Sequence, residues 1–247
     1  MEDSVCMALD KGFLCAPAAE MDSAAASKNG EVIEMAEFRP YPFFIRGAVW
    51  KYLKKEYGGS EAKRIWRETL AYYRRFVDEA PDIGGKANRM SGNLYMALAV
   101  FAFYEAGGRK LTPEKLRALM TERMPKRIPL FSALVDFNKP RNQRKLRARY
   151  EKYKATSDEK LDRGEWGNSW RIEMNPRGRE KGIAFDLVSC PLADFARKHG
   201  YTEIMPVLCD FDYLTASLIH AHLFREHTVA TGSPYCDYWY LGDKEQI

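Results

Sequence analysis

Residues 169–191 read SWRIEMNPRGREKGIAFDLVSCP, and the fold class turns on them. Ser169 to Met174 alternates polar and apolar residues, the period of a half-buried strand. Asn175-Pro176-Arg177-Gly178 is turn chemistry, because Asn and Gly accept left-handed backbone and Pro pre-sets a bend. Ile183 to Val188 reads as a second strand. Cys190-Pro191 closes it, and Pro191 opens a short helix that runs to Lys198, with Gly200 as its stop.

Upstream of about residue 160 the hydrophobic spacing is helical. Ser60 precedes EAKRIWRETLAYYRRFV as an N-cap, and Trp66, Leu70, Tyr73 and Val77 recur every three to four residues in one stripe. Leu94 to Glu105 is apolar nearly all round, as in a helix buried on most sides, and Gly107-Gly108 ends it. Thr112-Pro113 caps a further helix. Asn142 to Lys154 forms a basic helix followed by a polar linker to about Gly164. Downstream, a helix is predicted over about Asp210 to His222, then two strands, His227 to Thr231 and Tyr235 to Leu241, around Gly232-Ser233-Pro234. The sum is an α+β protein: a helical N-terminal half followed by a small antiparallel sheet of about four strands packed against helices. Residues 1–37 read as a flexible N-terminal extension. Residues 38–160 form the helical region and 161–247 the α+β region with the candidate site, 38–247 together making one compact domain.

Composition bounds the function. With 247 residues, 46% of them apolar, the chain can build a sizeable core, which excludes a stapled mini-protein and a low-complexity chain. The net charge of +5 is unevenly spread. Arg123 to Lys154 holds eleven basic and two acidic residues, whereas residues 1–37 hold two basic and eight acidic. The basic residues of Arg141 to Lys154 wrap around a helix, only Tyr150 and Tyr153 could stack on bases, and no nucleic-acid motif accompanies them, so the segment reads as a solvated helix. The longest apolar run, Leu94 to Tyr104, has eleven residues against the ~20 of a membrane span. Glu2, Asp3 and Asp10-Lys11 interrupt what would be a signal peptide. A cytoplasmic protein with no membrane partner is expected. Five cysteines, with no CxxC, argue against structural disulfides in a reducing compartment.

Reactive side chains gather at the C-terminal end. If a helix starts near Cys209, then Cys209, Asp212, Ala216 and His220 share one face. A cysteine in the first helical turn has its thiolate favoured by the helix dipole, as a nucleophile requires. Asp212, one turn on, can orient a substrate ammonium or move a proton. The competing reading of Cys209 is a small buried hydrophobe.

Cys190-Pro191, Cys209-x-x-Asp212 and Arg225-x-x-Thr228-x-x-x-Gly232-x-x-x-Cys236-Asp237, followed by aromatics, together resemble the L-2-amino-thiazoline-4-carboxylic acid hydrolase family over about residues 183–241. The resemblance implies a ring-opening hydrolase for carbon–nitrogen bonds other than peptide bonds. Its namesake substrate is a cyclic isothiourea carboxylate, opened by water to N-carbamoyl-cysteine; a related cyclic amidine stays open as the substrate. Beside that resemblance, Cys209 reads as the nucleophile at the ring C=N carbon, and Asp212 as the group that protonates the ring nitrogen or activates water. Arg225 reads as a bidentate partner of the substrate carboxylate, with Cys190, Thr228 and Gly232 lining the substrate site; the simplest role of Gly232 is a turn. Cys236 and Asp237 face opposite sides of a strand, and Cys236 is expected to point inward with Tyr238 and Tyr240. His227, at a strand start near Cys236, is the candidate base.

No cofactor is required on this reading. The alternative is a non-catalytic small-molecule-binding module on the same scaffold, with zinc held through Cys190, Cys209 and Cys236; the hairpin also resembles, more weakly, the 4-vinyl-reductase-like ligand-binding domains. Assembly into a homo-oligomer is left open.

Overall fold

The computed structural model describes residues 42–123 and 135–246. The expected N-terminal extension, with Cys6 and Cys15, and the start of the basic stretch lie outside the described residues.

The helical half begins with α1, Phe43–Glu79. It is broken at Gly58, whose φ of 74° and ψ of −175° leave the helical region. In a straight helix Trp50 and Trp66 would stand about 24 Å apart along the axis. Their rings meet edge-on at 6.4 Å, so the two arms fold back into a helical hairpin. The sequence pattern revealed only the second arm. α2, Ser91–Ala106, threads the middle of the half, and every residue from Ala97 to Tyr104 is buried. α3, Pro113–Arg123, has its first turn capped by Thr112 Oγ1, which accepts from the Lys115 amide. α4, Pro140–Asp162, continues through the stretch expected to be a linker. Two features extend it: the Lys154–Asp158 and Arg163–Glu159 pairs one turn apart, and buried Ser157, whose hydroxyl donates to the Trp170 carbonyl at 2.6 Å. Tyr153 is buried and Tyr150 packs on Phe185 at 4.4 Å, so both aromatics of the basic helix serve the core.

The second half holds β1 (Ile172–Met174), β2 (Ile183–Leu187), α5 (Pro191–His199), α6 (Met205–Leu218), β3 (Ala221–Phe224) and β4 (Cys236–Gly242). The sheet is antiparallel throughout, in the order β1-β2-β4-β3. β2 and β3 flank β4 and therefore run parallel to each other, with α5 and α6 as the crossover. Directly paired residues share a face. The inner face carries Phe185 opposite Tyr238, Ile183 opposite Tyr240 and Leu187 opposite Cys236. The outer face carries Asp186 opposite Asp237 and Ala184 opposite Trp239. The loop between β1 and β2 folds over that outer face: Arg177 makes a two-pronged pair with Asp186 (2.6 and 3.0 Å), and Arg179 lies over the Trp239 ring at 4.2 Å. Gly182, just before β2, has to be glycine because a Cβ there would stand 2.0 Å from the Tyr240 carbonyl oxygen.

Two expected elements shift. The helix that carries Cys209 begins at Met205, not near Asp210, because Pro206 sits in its first turn and is pre-organised for it. It ends before His220, which adopts a left-handed φ of 59°. The third strand is Ala221–Phe224, not His227–Thr231. The amides of Glu226 and His227 are taken by Asp237 Oδ1, and that of Thr231 by Thr228 Oγ1. Local side-chain acceptors thus displace the ladder and leave a short 3₁₀ turn at Val229–Thr231.

The halves are joined by an aromatic cluster. Phe101 of α2 stacks on Phe195 of α5 and on Tyr201 at 5.9 and 5.0 Å, and Phe76 of α1 meets the same pair edge-on at 5.5 and 5.7 Å. α6 is tied to α3 by the Arg117–Asp210 pair at 2.8 Å. This docking fixes α6 against β3 and β4 and so sets the geometry of the site.

Candidate active site

α6, the β3–β4 loop and β4 bring together Cys209, Asp212, Arg225, Cys236 and Tyr238, with Cys190 at the start of α5 close enough to Cys209 and Cys236 to bear on their ionisation. Arg225 is the centre of the hydrogen bonding. Its side chain is 2% exposed. Nη1 donates to Asp212 Oδ2 at 2.7 Å and to the Tyr238 hydroxyl at 3.0 Å, while Nη2 donates to the Cys209 carbonyl at 2.8 Å. Its guanidinium lies 5.0 Å from the ring centres of both Tyr213 and Tyr238. Arg225 was expected to grip a substrate carboxylate. These contacts instead tie Nη1 and Nη2 to the protein, as a buried guanidinium beside a carboxylate requires, while Nε is buried with no hydrogen-bond partner among the described residues.

Asp212 is the accessible member. Its side chain is 36% exposed although protein surrounds it closely. Its carboxyl is raised above the ordinary carboxylate range, first by burial, with Arg225 and Tyr238 pulling the other way. The carboxylate is thus partly open to solvent and packed closely by protein on its other sides. Tyr150, Tyr238 and Tyr240 lie close enough to feel its charge, and their phenols are all pushed up by burial, Tyr150 to about 12.

The three thiols are free. Burial pushes Cys190 up to about 11, against the amides of Ala193 and Leu192 at the start of α5. Burial and then the Asp212 charge push Cys209 up, well past the ordinary thiol range. Cys236 is raised by burial while accepting from the Val229 amide at 3.1 Å. The expected dipole activation of Cys209 is therefore corrected. With the helix starting at Met205, Cys209 sits beyond the first turn, and Cys190 is the thiol at a helix N-terminus.

Cys236 does face inward with Tyr238 and Tyr240, all three buried. Asp237 faces the other side, and His227 is with it: Nδ1 lies 3.3 Å from Asp237 Oδ2, and the ring is 49% exposed. His227 is thus grouped with Asp237 on the outer face, not with Cys236. Thr228 caps the turn at Val229–Thr231, and Gly232, with φ 95°, closes it. The motif from Arg225 to Asp237 accordingly builds the loop: Arg225 anchors it to α6, Cys236 and Asp237 hold its backbone, and Thr228 and Gly232 shape it. Among the described residues, the trio of potential metal ligands gathered within 4.8 Å is Glu226, His227 and Asp237 on that outer face. Tyr238 is the site residue that residue spacing did not single out. Its signal was the inward alternation of Cys236, Tyr238 and Tyr240, which marks a core face and says nothing of where a hydroxyl ends.

A solvent-reached carboxylate with thiols around it, on an α+β scaffold, equips a protein to transform a small molecule. The chain belongs to the L-2-amino-thiazoline-4-carboxylic acid hydrolase family, whose model matches residues 92–240, from α2 to β4. The matched span is longer than the C-terminal motif and takes in α2, α3 and α4 as well as the sheet. No curated protein and no solved structure matches the chain significantly. Among the described residues no helix is long and apolar enough to cross a membrane.

Proposed function

We propose that the protein is a hydrolase that opens a small cyclic amidine or isothiourea carboxylate, such as L-2-amino-thiazoline-4-carboxylate, to the N-carbamoyl amino acid. The observation that carries the reading is the Asp212 carboxylate, open to solvent on one side, locked by Arg225 and Tyr238 on the other, and neighboured by the Cys209 thiol. Cys209 Sγ adds to the ring C2 as its proton passes to Asp212. N-carbamoyl-cysteine keeps the ring nitrogen, so for this substrate the bond that breaks is C2–S and not the expected carbon–nitrogen bond, and the departing atom that Asp212 protonates is the ring sulfur and not the ring nitrogen. Water then adds to the S-linked isothiourea, its proton goes to Asp212, and Cys209 leaves and is reprotonated. One water is consumed and Cys209 is regenerated. The raised thiol makes Asp212 indispensable in this scheme, because Cys209 holds its proton until a base is beside it.

The test follows ring loss by absorbance and the released thiol with a disulfide reagent. Wild-type turnover supports the reading, and saturable binding without turnover sinks it for this substrate. Full turnover by Cys209→Ser removes the cysteine nucleophile. The alternative is a binding module with zinc held through Cys190, Cys209 and Cys236, although among the described residues the potential ligands gathered within 4.8 Å are Glu226, His227 and Asp237 and not these thiols. Stoichiometric zinc in protein purified without a metal-affinity column supports it and overturns the covalent scheme.

A further inference from the structure

Asp212 presents its two oxygens unequally. Oδ2 accepts from Arg225 Nη1 at 2.7 Å and from the Tyr238 hydroxyl at 2.8 Å. No described residue donates to Oδ1, and Oδ1 is not among the buried polar atoms that lack a partner. The two donors are themselves immobilised. The Tyr238 ring is stacked between Phe185 at 4.9 Å and Tyr240 at 6.1 Å, and its hydroxyl accepts from the same Arg225 Nη1 at 3.0 Å. Arg225 is held at Nη2 by the Cys209 carbonyl and lies against Tyr213 and Tyr238. Carboxylate, guanidinium and phenol thus close a three-membered ring of contacts behind one oxygen.

We propose that Tyr238 and Arg225 are positioning residues that clamp Asp212 Oδ2 and leave Oδ1 as the single oxygen that exchanges protons with the substrate. The proposal rests on the reading of Asp212 as the proton-handling group of the site. An unclamped carboxylate would turn about its Cβ–Cγ bond and offer either oxygen in many directions. Two fixed donors remove that freedom and favour the charged, proton-accepting form. Tyr238 enters through register: it faces Phe185 across the β2–β4 ladder, and its hydroxyl reaches Asp212 on α6. The groups that bear on Asp212 are Asp210 on its own helix, Arg225, Tyr238, Tyr240, Cys236, Tyr150 and Cys209. Of these, Arg225 and Tyr238 are its hydrogen-bond donors.

The test is Tyr238→Phe, which keeps the ring and removes the donor. The carboxyl of Asp212 is titrated by ¹³C NMR on aspartate-labelled protein, with Asp212→Asn to assign the signal. Loss of a donor to the charged form moves the titration upward by about half to one pH unit. The acid limb of kcat/KM for L-2-amino-thiazoline-4-carboxylate moves up with it, and kcat falls about tenfold with little change in KM. Arg225→Lys retains the charge but cannot reach Asp212, Tyr238 and the Cys209 carbonyl together, and gives a shift in the same direction. An unmoved titration in both variants overturns the proposal, even if their Tm falls, since a purely structural role predicts only that fall. If Tyr238→Phe does not fold, Arg225→Lys decides alone. Absence of wild-type turnover defeats the proposed function, whereas the NMR titration still decides the clamp.

Discussion

Asp212 and Asp237 are both flanked by donors, yet their carboxyls move in opposite directions. For Asp212 burial outweighs Arg225 and Tyr238, and the carboxyl is raised. For Asp237 burial is overcome by the amides of His227 and Glu226 and by the His227 ring, and the carboxyl is lowered. The signs of linkage follow. Asp237 holds fewer protons folded than unfolded, so its stabilisation is present above the ordinary aspartate range and is lost as pH falls through the lower folded value. Urea unfolding from neutral pH to about pH 3 should therefore show a flatter acid limb in Asp237→Asn than in wild type. Asp212 runs the other way: stability falls as pH rises from the ordinary range through the raised folded value. Breaking its pair from the other side is also costly, because Arg225→Met leaves the partly exposed carboxylate with Tyr238 as its remaining donor; a loss of about 1–2 kcal/mol is expected in chemical denaturation. The thiols give a kinetic prediction. Because burial raises Cys190, Cys209 and Cys236 alike, iodoacetamide at pH 8 should label them far more slowly in the native protein than in urea. Helical spacing singled out Cys209 and Asp212, the family resemblance added Arg225 and Cys236, and the fold brings the four into one neighbourhood. Their roles were not legible, because a pattern of offsets does not tell a side chain that meets a substrate from one that holds its neighbour.

At the scale of elements, the 225–236 loop shows why the third strand was misplaced. His227 to Thr231 has the β-branched content of a strand, but Asp237 and Thr228 bind its amides locally, and those donors cannot also serve a ladder. Two glycines that look alike in sequence separate here. Gly232 has φ 95° and open space around its Cα, so Gly232→Ala should cost only the left-handed strain, about 1 kcal/mol. Gly182 has φ 69°, with the Tyr240 carbonyl where a Cβ would go, so Gly182→Ala should cost about 3 kcal/mol and loosen the β2–β4 register. Thermal unfolding of the two variants separates these magnitudes. α6 makes the same point about helix ends: Pro206 marks its start in plain view, but the short apolar run Val207-Leu208-Cys209 after it reads equally as core strand or helix.

Across the whole molecule, the helical half acts on the site through the face it offers to α5 and α6. Phe101→Ala empties the stacked cluster with Phe195 and Tyr201 and should lower stability by about 3–5 kcal/mol, read from the urea midpoint. The family match from residue 92 to 240 agrees with this division of labour, since it includes α2, whose burial supports the docking, as well as the strands that carry the motif. By itself, the sequence determined the α+β class, the antiparallel sheet, the inward face of β4 and the family. These are properties of local period, turn chemistry and a motif read along the chain. Only the tertiary structure decided that Arg225 stands behind Asp212, that His227 lies with Asp237 on the outer face, and that Tyr238 reaches α6. Each of those depends on strand register and on how deep a side chain ends, and both are set by packing between segments far apart in the chain.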